Sequence, residues 1–215
     1  MSLLNIKNLS VHFGPLCPVH QATLMVNEGE CVALIGPSGC GKTTLAKAIL
    51  RLQDRAQIQG EILFKNNDLL TLSEKEIQKI RGGQIAMVFQ EPMSALNPLH
   101  TIHQQILESL QLHQNKPTRA HVLDLLKQVE LNNPKKIAAS YPHQLSGGER
   151  QRAMIAMALA GSPSLLIADE PTTALDSKTQ CQILKLLKKL QEELHLSILF
   201  ISHDIAVVQQ VATKI

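Results

Sequence analysis

A chain of 215 residues, 44% of them hydrophobic and 18% charged, is long enough to bury one large core, or a core with an inserted subdomain. A net charge of +3 without any Lys/Arg-rich block, and an aromatic content of 2%, argue against a nucleic-acid surface or a base-stacking platform. No apolar run approaches the ~18 residues of a bilayer span, and Asn5, Lys7 and Asn8 interrupt the amino terminus where a secretory leader keeps an apolar core.

Residues 3–9 and 21–26 read as strands that lead into the turn Asn27-Glu28-Gly29-Glu30. An apolar run over residues 31–35 reads as a buried strand, and a glycine-rich turn follows it. The next segment has Leu45, Ala48, Ile49 and Leu52 at helical spacing. Between that strand and helix, Gly36, Pro37, Ser38, Gly39, Cys40, Gly41, Lys42 and Thr43 fit the phosphate-loop pattern G-x-x-x-x-G-K-[ST]. Side chains at the glycines would hold backbone N–H groups away from phosphate oxygens. Their absence, with the positive helix end, makes an anion cradle. Lys42 is placed to reach the outer phosphates, the Thr43 hydroxyl to ligate magnesium, and Thr44 to add a phosphate contact. Cys17, Cys31, Cys40 and Cys181 form no C-x-x-C pair, which disfavours structural zinc and favours a reduced, cytosolic setting. Cys40 is either a thiol whose alkylation blocks nucleotide binding or a small filler.

Residues 60–65 form another short strand, residues 66–68 have turn chemistry, and Ser73 with Glu76 has the spacing of a capping box. Residues 84–89 are again strand-like, and strands alternating with helices imply a layered α/β core. From about residue 91 to 160 helical periodicity takes over. Ile102, Ile106 and Leu110 share one face, and Val122, Leu125, Leu126 and Val129 share another. Pro92, Pro98, Pro117, Pro134 and Pro142 punctuate the segment, which reads as an all-helical insertion. Strand character returns at residues 165–168. In the long amphipathic helix after it, Ile183, Leu186, Leu187, Leu190 and Leu194 face inward, while Lys185, Lys188, Lys189 and Glu192 face water. A last strand, residues 198–201, leads into a helix expected to run from about residue 204 to the end.

Asp169 and Glu170 close the buried run 165–168, where an open α/β sheet puts its ligands. They either hold magnesium (Asp169) and polarise a water in line with the outer phosphate (Glu170), or cap the turn that Pro171 imposes. His203 and Gln90 also end strands, and Gln90 has an amide for magnesium or the attacking water. A second glycine-rich helix start, Leu145-Ser146-Gly147-Gly148-Glu149, is another anion site, with Ser146 as its cap. One phosphate chain does not need two cradles in one subunit, so this one is read as closing on a nucleotide held by another subunit.

LSGGERQR, together with GPSGCGKT, Gln90, LLIADE, Ala174-Leu175-Asp176 and His203 in that order, resembles the ATP-binding cassette family over essentially the whole chain. The strings FQEPMSALNPLHTI (89–102) and SYPHQLSGGERQRAMIAMALA (140–160) resemble the ATPase subunits of oligopeptide, dipeptide and nickel importers. The resemblance implies a RecA-like P-loop NTPase core of mixed sheet, with an antiparallel β part, from residues 1–90 and 161–215. A helical subdomain, 91–160, is inserted in it. It implies ATP and Mg2+ as cofactors, with Thr43, Gln90 and Asp169 as metal ligands. Glu170, His203 and Gln90 are the catalytic group, and Phe13 stacks on adenine. Ser146, Gly147, Gly148 and Glu149 contact the partner's ATP, and Asp176 organises the dimer. The partners implied are a second copy or a paralogue, transmembrane permease subunits that dock near 91–99, and indirectly an extracytoplasmic solute-binding protein, with no nucleic acid. The place implied is the cytoplasmic face of the membrane. Relatives carry acidic and serine residues in the loop where this chain has GPSGCGKT. They also continue beyond the position of Ile215, which implies a shortened chain or one piece of a longer protein. A soluble cassette ATPase acting on nucleic acid or ribosomes, and an exporter ATPase, are the alternatives.

Overall fold

The computed structural model describes residues 1–113 and 116–214. Its first sheet is antiparallel: β1 (Ser2–Phe13) lies between β2 (Leu16–Asn27) and β4 (Gln57–Phe64), and the two-residue β5 (Asn67–Asp68) pairs with β4. The first two strands outrun the ranges read from sequence because bulges break their alternation. Asn8 (φ 49°) and Gln21 (φ 48°) take left-handed backbone, and their N–H groups donate to Thr23 Oγ1 and Ser10 Oγ at 3.1 and 2.9 Å. The expected turn at residues 66–68 sits one residue earlier. Lys65 and Asn66 both have positive φ, as a two-residue hairpin of the I′ kind requires, so Asn67 already pairs with Phe64.

The second sheet is parallel, in the order β3 (Cys31–Ile35), β8 (Ser197–Ser202), β7 (Leu165–Asp169), β6 (Ile85–Val88). Apart from Asp169, Ser197 and Ser202 at strand ends its strands are apolar, because both faces are covered. Alternate residues serve two cores. Ala33, Ala86, Val88, Leu166, Ala168 and Phe200 join the helices. Val32, Met87, Leu165, Ile167, Leu199 and Ile201 join the antiparallel sheet and helix α1 (Lys42–Ile49). Each Val, Leu, Ile, Met or Phe among them contributes about 1.5–3 kcal/mol by leaving water.

Helix α1 stops before Leu52, which sequence placed on it and which is 42% exposed. Arg51 (φ 50°) turns the chain away, and the Arg81 guanidinium donates to the carbonyls of Leu50 (2.7 Å) and Arg51 (2.9 Å), closing the helix end. Helix α2 (Glu74–Ile80) opens on the Ser73–Glu76 capping box expected for it. Between β6 and β7 lie α3 (Pro92–Ala95), α4 (Ile102–His113), α5 (Arg119–Gln128), α6 (Pro134–Ala139) and α7 (Gly147–Leu159). Of their expected inward residues, Ile102, Ile106, Leu110, Val122, Leu126 and Val129 are buried, while Leu125 is only partly so. In α8 (Ser177–Leu194), Leu194 is half exposed, because it occupies the last turn before His195 breaks the helix with left-handed backbone.

The final helix, α9 (Ile205–Val211), does not continue to the end of the chain. Residues 212–214 instead turn along the outer edge of β3. Thr213 N–H donates to Cys31 O (2.9 Å), and Ala33 N–H donates to Lys214 O (2.8 Å). The open edge of β3 offers backbone groups that a continued helix would leave unpaired.

Candidate active site

The carboxyl ends of all four parallel strands point into one region. β3 delivers the phosphate loop, β6 delivers Gln90 across Phe89, β7 delivers Asp169 and Glu170, and β8 delivers His203. The loop's geometry requires its last glycine. Gly41 has φ 97°, and a Cβ there would stand 2.2 Å from the carbonyl oxygen of Pro18. Lys42 is buried, and its ammonium donates to the carbonyls of Gly36 (2.8 Å) and Pro37 (2.9 Å). The loop is therefore curled around its own cation.

Asp169 is 1% exposed and accepts from the Thr43 hydroxyl at 3.2 Å. Burial pushes its carboxyl above the ordinary aspartate range, the Thr43 hydrogen bond offsets this in part, and the neighbouring Glu170 charge adds to the rise. A raised native value means that the folded chain holds this proton more tightly than the unfolded chain. Stability is lost as pH rises through the interval between the usual aspartate value and the raised native one. Asp169→Asn keeps the acceptor for Thr43 and removes the buried charge. The expected outcome is a melting temperature for the nucleotide-free protein raised on the order of a few degrees, with turnover lost, measured by thermal melts beside phosphate release.

Glu170 has left-handed backbone (φ 47°), held by its N–H on Ile201 O (3.0 Å) and by the Thr173 N–H on Glu170 O (3.2 Å). Its Oε2 accepts from Gln90 Nε2 (3.3 Å) and Thr173 Oγ1 (3.0 Å), and His203 Nδ1 lies 3.1 Å away. Its Oε1 faces Lys42 Nζ at 3.9 Å. Among the described residues neither carboxylate accepts from a backbone N–H, and Glu170 is tied to its turn through the Thr173 hydroxyl.

The second cradle is built as its sequence implies. Ser146 caps α7 by accepting from Glu149 N (3.3 Å), and Glu149 returns the bond to Ser146 N (2.9 Å). The Ser146 backbone N–H, and then its hydroxyl, pull the Glu149 carboxyl below its usual range. That carboxylate is spent on the capping box, whereas sequence grouped Glu149 with the phosphate contacts. Asp176 likewise caps α8 by accepting from Lys178 N (3.1 Å) and Thr179 N (3.0 Å), and it is held low chiefly by the Thr179 hydroxyl. The two helix starts touch, since a Cβ on Gly148 would stand 2.6 Å from the Thr179 methyl. Over them lies a cavity of about 820 Å³ lined by Ser146, Gly147, Gly148, Arg150, Asp176 and Lys185, and by no phosphate-loop residue.

Phe13 ends β1 half-buried against the core, directly before the hairpin turn. Burial pushes the Cys31 thiol up to about 12, with the Glu30 charge adding to the rise. Cys40 is exposed, with its sulfur 4.0 Å from Lys42 Nζ, so it fills no core space. Among the described residues no three His, Cys, Asp or Glu side chains cluster to hold a metal. The neighbouring hydroxyl of Thr43 and carboxylate of Asp169 fit a hard cation that takes most of its ligands from phosphates and water, as Mg2+ does. Sequence reasoning missed Thr173, one of four threonines and serines in the run after Glu170, because nothing in the string sets it apart.

A protein-family model described as "ABC transporter" matches residues 19–173. The chain is 46% identical to the dipeptide transport ATP-binding protein DppD of Escherichia coli (strain K12), over 100% of this chain and 68% of that protein. It is 44% identical to a probable peptide ABC transporter ATP-binding protein, y4tR, of Sinorhizobium fredii, over 99% of this chain and 67% of that one. With the peptidoglycan transport ATP-binding protein YejF of Agrobacterium fabrum the identity is 48% over 99% of this chain, which spans only 41% of that relative. The dimeric bacterial ABC transporter cassette MJ0796 superposes with a TM-score of 0.85 at 35% identity, covering 97% of this chain and 91% of that one. The same cassette has been solved as a dimer in a post-hydrolysis state bound to ADP and Pi, with a TM-score of 0.84 at 35% identity.

Proposed function

Since the chain belongs to the ABC transporter family, we propose that it is the ATP-binding and hydrolysing part of a membrane importer for short peptides or a related small solute such as nickel. The observation that carries the reading is the convergence of Lys42, Asp169, Glu170, Gln90 and His203 at the ends of adjacent parallel strands. Adenine stacks on Phe13. Phosphate oxygens take over the Lys42 ammonium from the carbonyls of Gly36 and Pro37, and the amides of residues 36–44 wrap the phosphates. Thr43, Asp169 and Gln90 would hold Mg2+, which supplies neutralising charge to the phosphates when bound. Glu170 orients the attacking water and takes its proton. His203 stabilises charge on the terminal phosphate, and product leaves after the bond to ADP breaks.

Two chains sandwich the nucleotides head to tail, so that Ser146, Gly147 and Gly148 of one reach the terminal phosphate bound by the other, with Asp176 at the seam. The dimeric state of MJ0796 supports this arrangement. The second chain is a copy or a paralogue. Among the described residues no helix is long and apolar enough to cross a membrane. The proposed place is the inner face of the membrane, reached through permease subunits seated near residues 91–99 and fed by an extracytoplasmic solute-binding protein. The peptide cargo is supported by the names of DppD and y4tR. Purification of the tagged chain from membranes, followed by reconstitution, tests the assignment. The expected result is a hydrophobic multi-span partner and ATP-dependent uptake of dipeptides into vesicles. Salt-sensitive RNA binding with no membrane partner would overturn it.

A further inference from the structure

We infer that Thr173 is the positioning residue of Glu170, and that it leaves Oε1 as the carboxylate oxygen that faces the attacking water. The inference rests on Glu170 being the base. Glu170 Oε2 has donors at 3.0 Å (Thr173 Oγ1), 3.1 Å (His203 Nδ1) and 3.3 Å (Gln90 Nε2), more than its two lone pairs accept well. Oε1 has only the Lys42 ammonium, at 3.9 Å.

The crowd on Oε2 cannot all stay once nucleotide arrives. His203 and Gln90 each have a second task there, on the terminal phosphate and on the metal or water. Thr173 has no other task. Its hydroxyl makes no other hydrogen bond among the described residues, and its backbone N–H is tied to Glu170 O (3.2 Å) within the same turn. That turn keeps the left-handed backbone of Glu170 and the hydroxyl together as one rigid unit. Thr173 thus holds the carboxylate in one rotamer while the other donors leave, and fixes which oxygen the water meets. Being neutral, it does so without raising or lowering charge in the site. The next residues, Ala174, Leu175 and Asp176, run toward the proposed dimer seam, so the same turn connects the seam to the base.

The test compares Thr173→Val, which keeps the shape and loses the hydroxyl, with Thr173→Ser, which keeps the hydroxyl. Glu170→Gln serves as the control. In steady-state phosphate release, Thr173→Val is expected to lower kcat about 10- to 100-fold, the loss expected for one hydrogen bond to a charged group. KM for ATP and the melting temperature should stay unchanged, and Thr173→Ser should return kcat to within about twofold of the unaltered chain. Normal turnover by Thr173→Val overturns the inference, as does a Thr173→Ser variant as slow as Thr173→Val, or a loss confined to KM. If Glu170→Gln itself turns over normally, the reading of Glu170 as base has failed instead, and the two failures are told apart.

Discussion

Glu170→Gln lowers ATP turnover by about 10²- to 10⁴-fold, the span that a positioned general base contributes. The substitution preserves volume, and its amide oxygen still accepts from Thr173 and Gln90, so the turn that holds residue 170 in left-handed backbone persists. What disappears is the ability to take a proton. The side chain is only 10% exposed, so bulk water does not substitute for it. Nucleotide affinity depends on the phosphate loop and is unchanged, and a chain that binds but does not hydrolyse accumulates as the closed dimer. Single-turnover phosphate release, nucleotide binding and size-exclusion chromatography with ATP measure the three effects. Near-normal phosphate release would remove Glu170 from its role.

Ser146→Asp has the other large effect. Aspartate is as good a helix cap as serine and keeps the acceptor for Glu149 N. It loses the hydroxyl that donates to Glu149 Oε2 (2.8 Å) and faces that carboxylate with a like charge, so a lowered melting temperature accompanies the substitution. The new carboxylate stands where the cradle meets a phosphate, and its repulsion replaces a donor with a like charge. Losing one such donor costs about 10²- to 10³-fold in other enzymes, and at least that loss of turnover is expected here. ATP binding to the isolated chain should be unaffected, because the cavity over Ser146 contains no residue of the phosphate loop. Thermal melts, binding and turnover measured on one preparation distinguish this from a folding defect.

Much of this was legible in the string. The buried parallel strands, the capping box at Ser73 and the helix start at Ser146 follow from local patterns that tertiary packing leaves intact. The antiparallel strands were read short because bulges at Asn8 and Gln21 break the alternation that marks a strand. Helix ends were misplaced at Leu52 and after Val211 because what stops them is distant in sequence. Arg81 closes the first helix, and the edge of β3 captures residues 212–214 after the last. At the site, the charged groups announce themselves by position after strands. Thr173 and the Pro18 carbonyl behind Gly41 act through contacts that no motif encodes.

Combining the two impaired chains tests the composite site most directly. Ser146→Asp protein retains Glu170 and its phosphate loop, while Glu170→Gln protein retains Ser146. Mixed before ATP is added, they form heterodimers in which one pocket has every required group. The account predicts phosphate release well above the sum of the two preparations assayed alone. A mixture no faster than that sum, or a verified monomer of the unaltered chain hydrolysing at full rate, would contradict it.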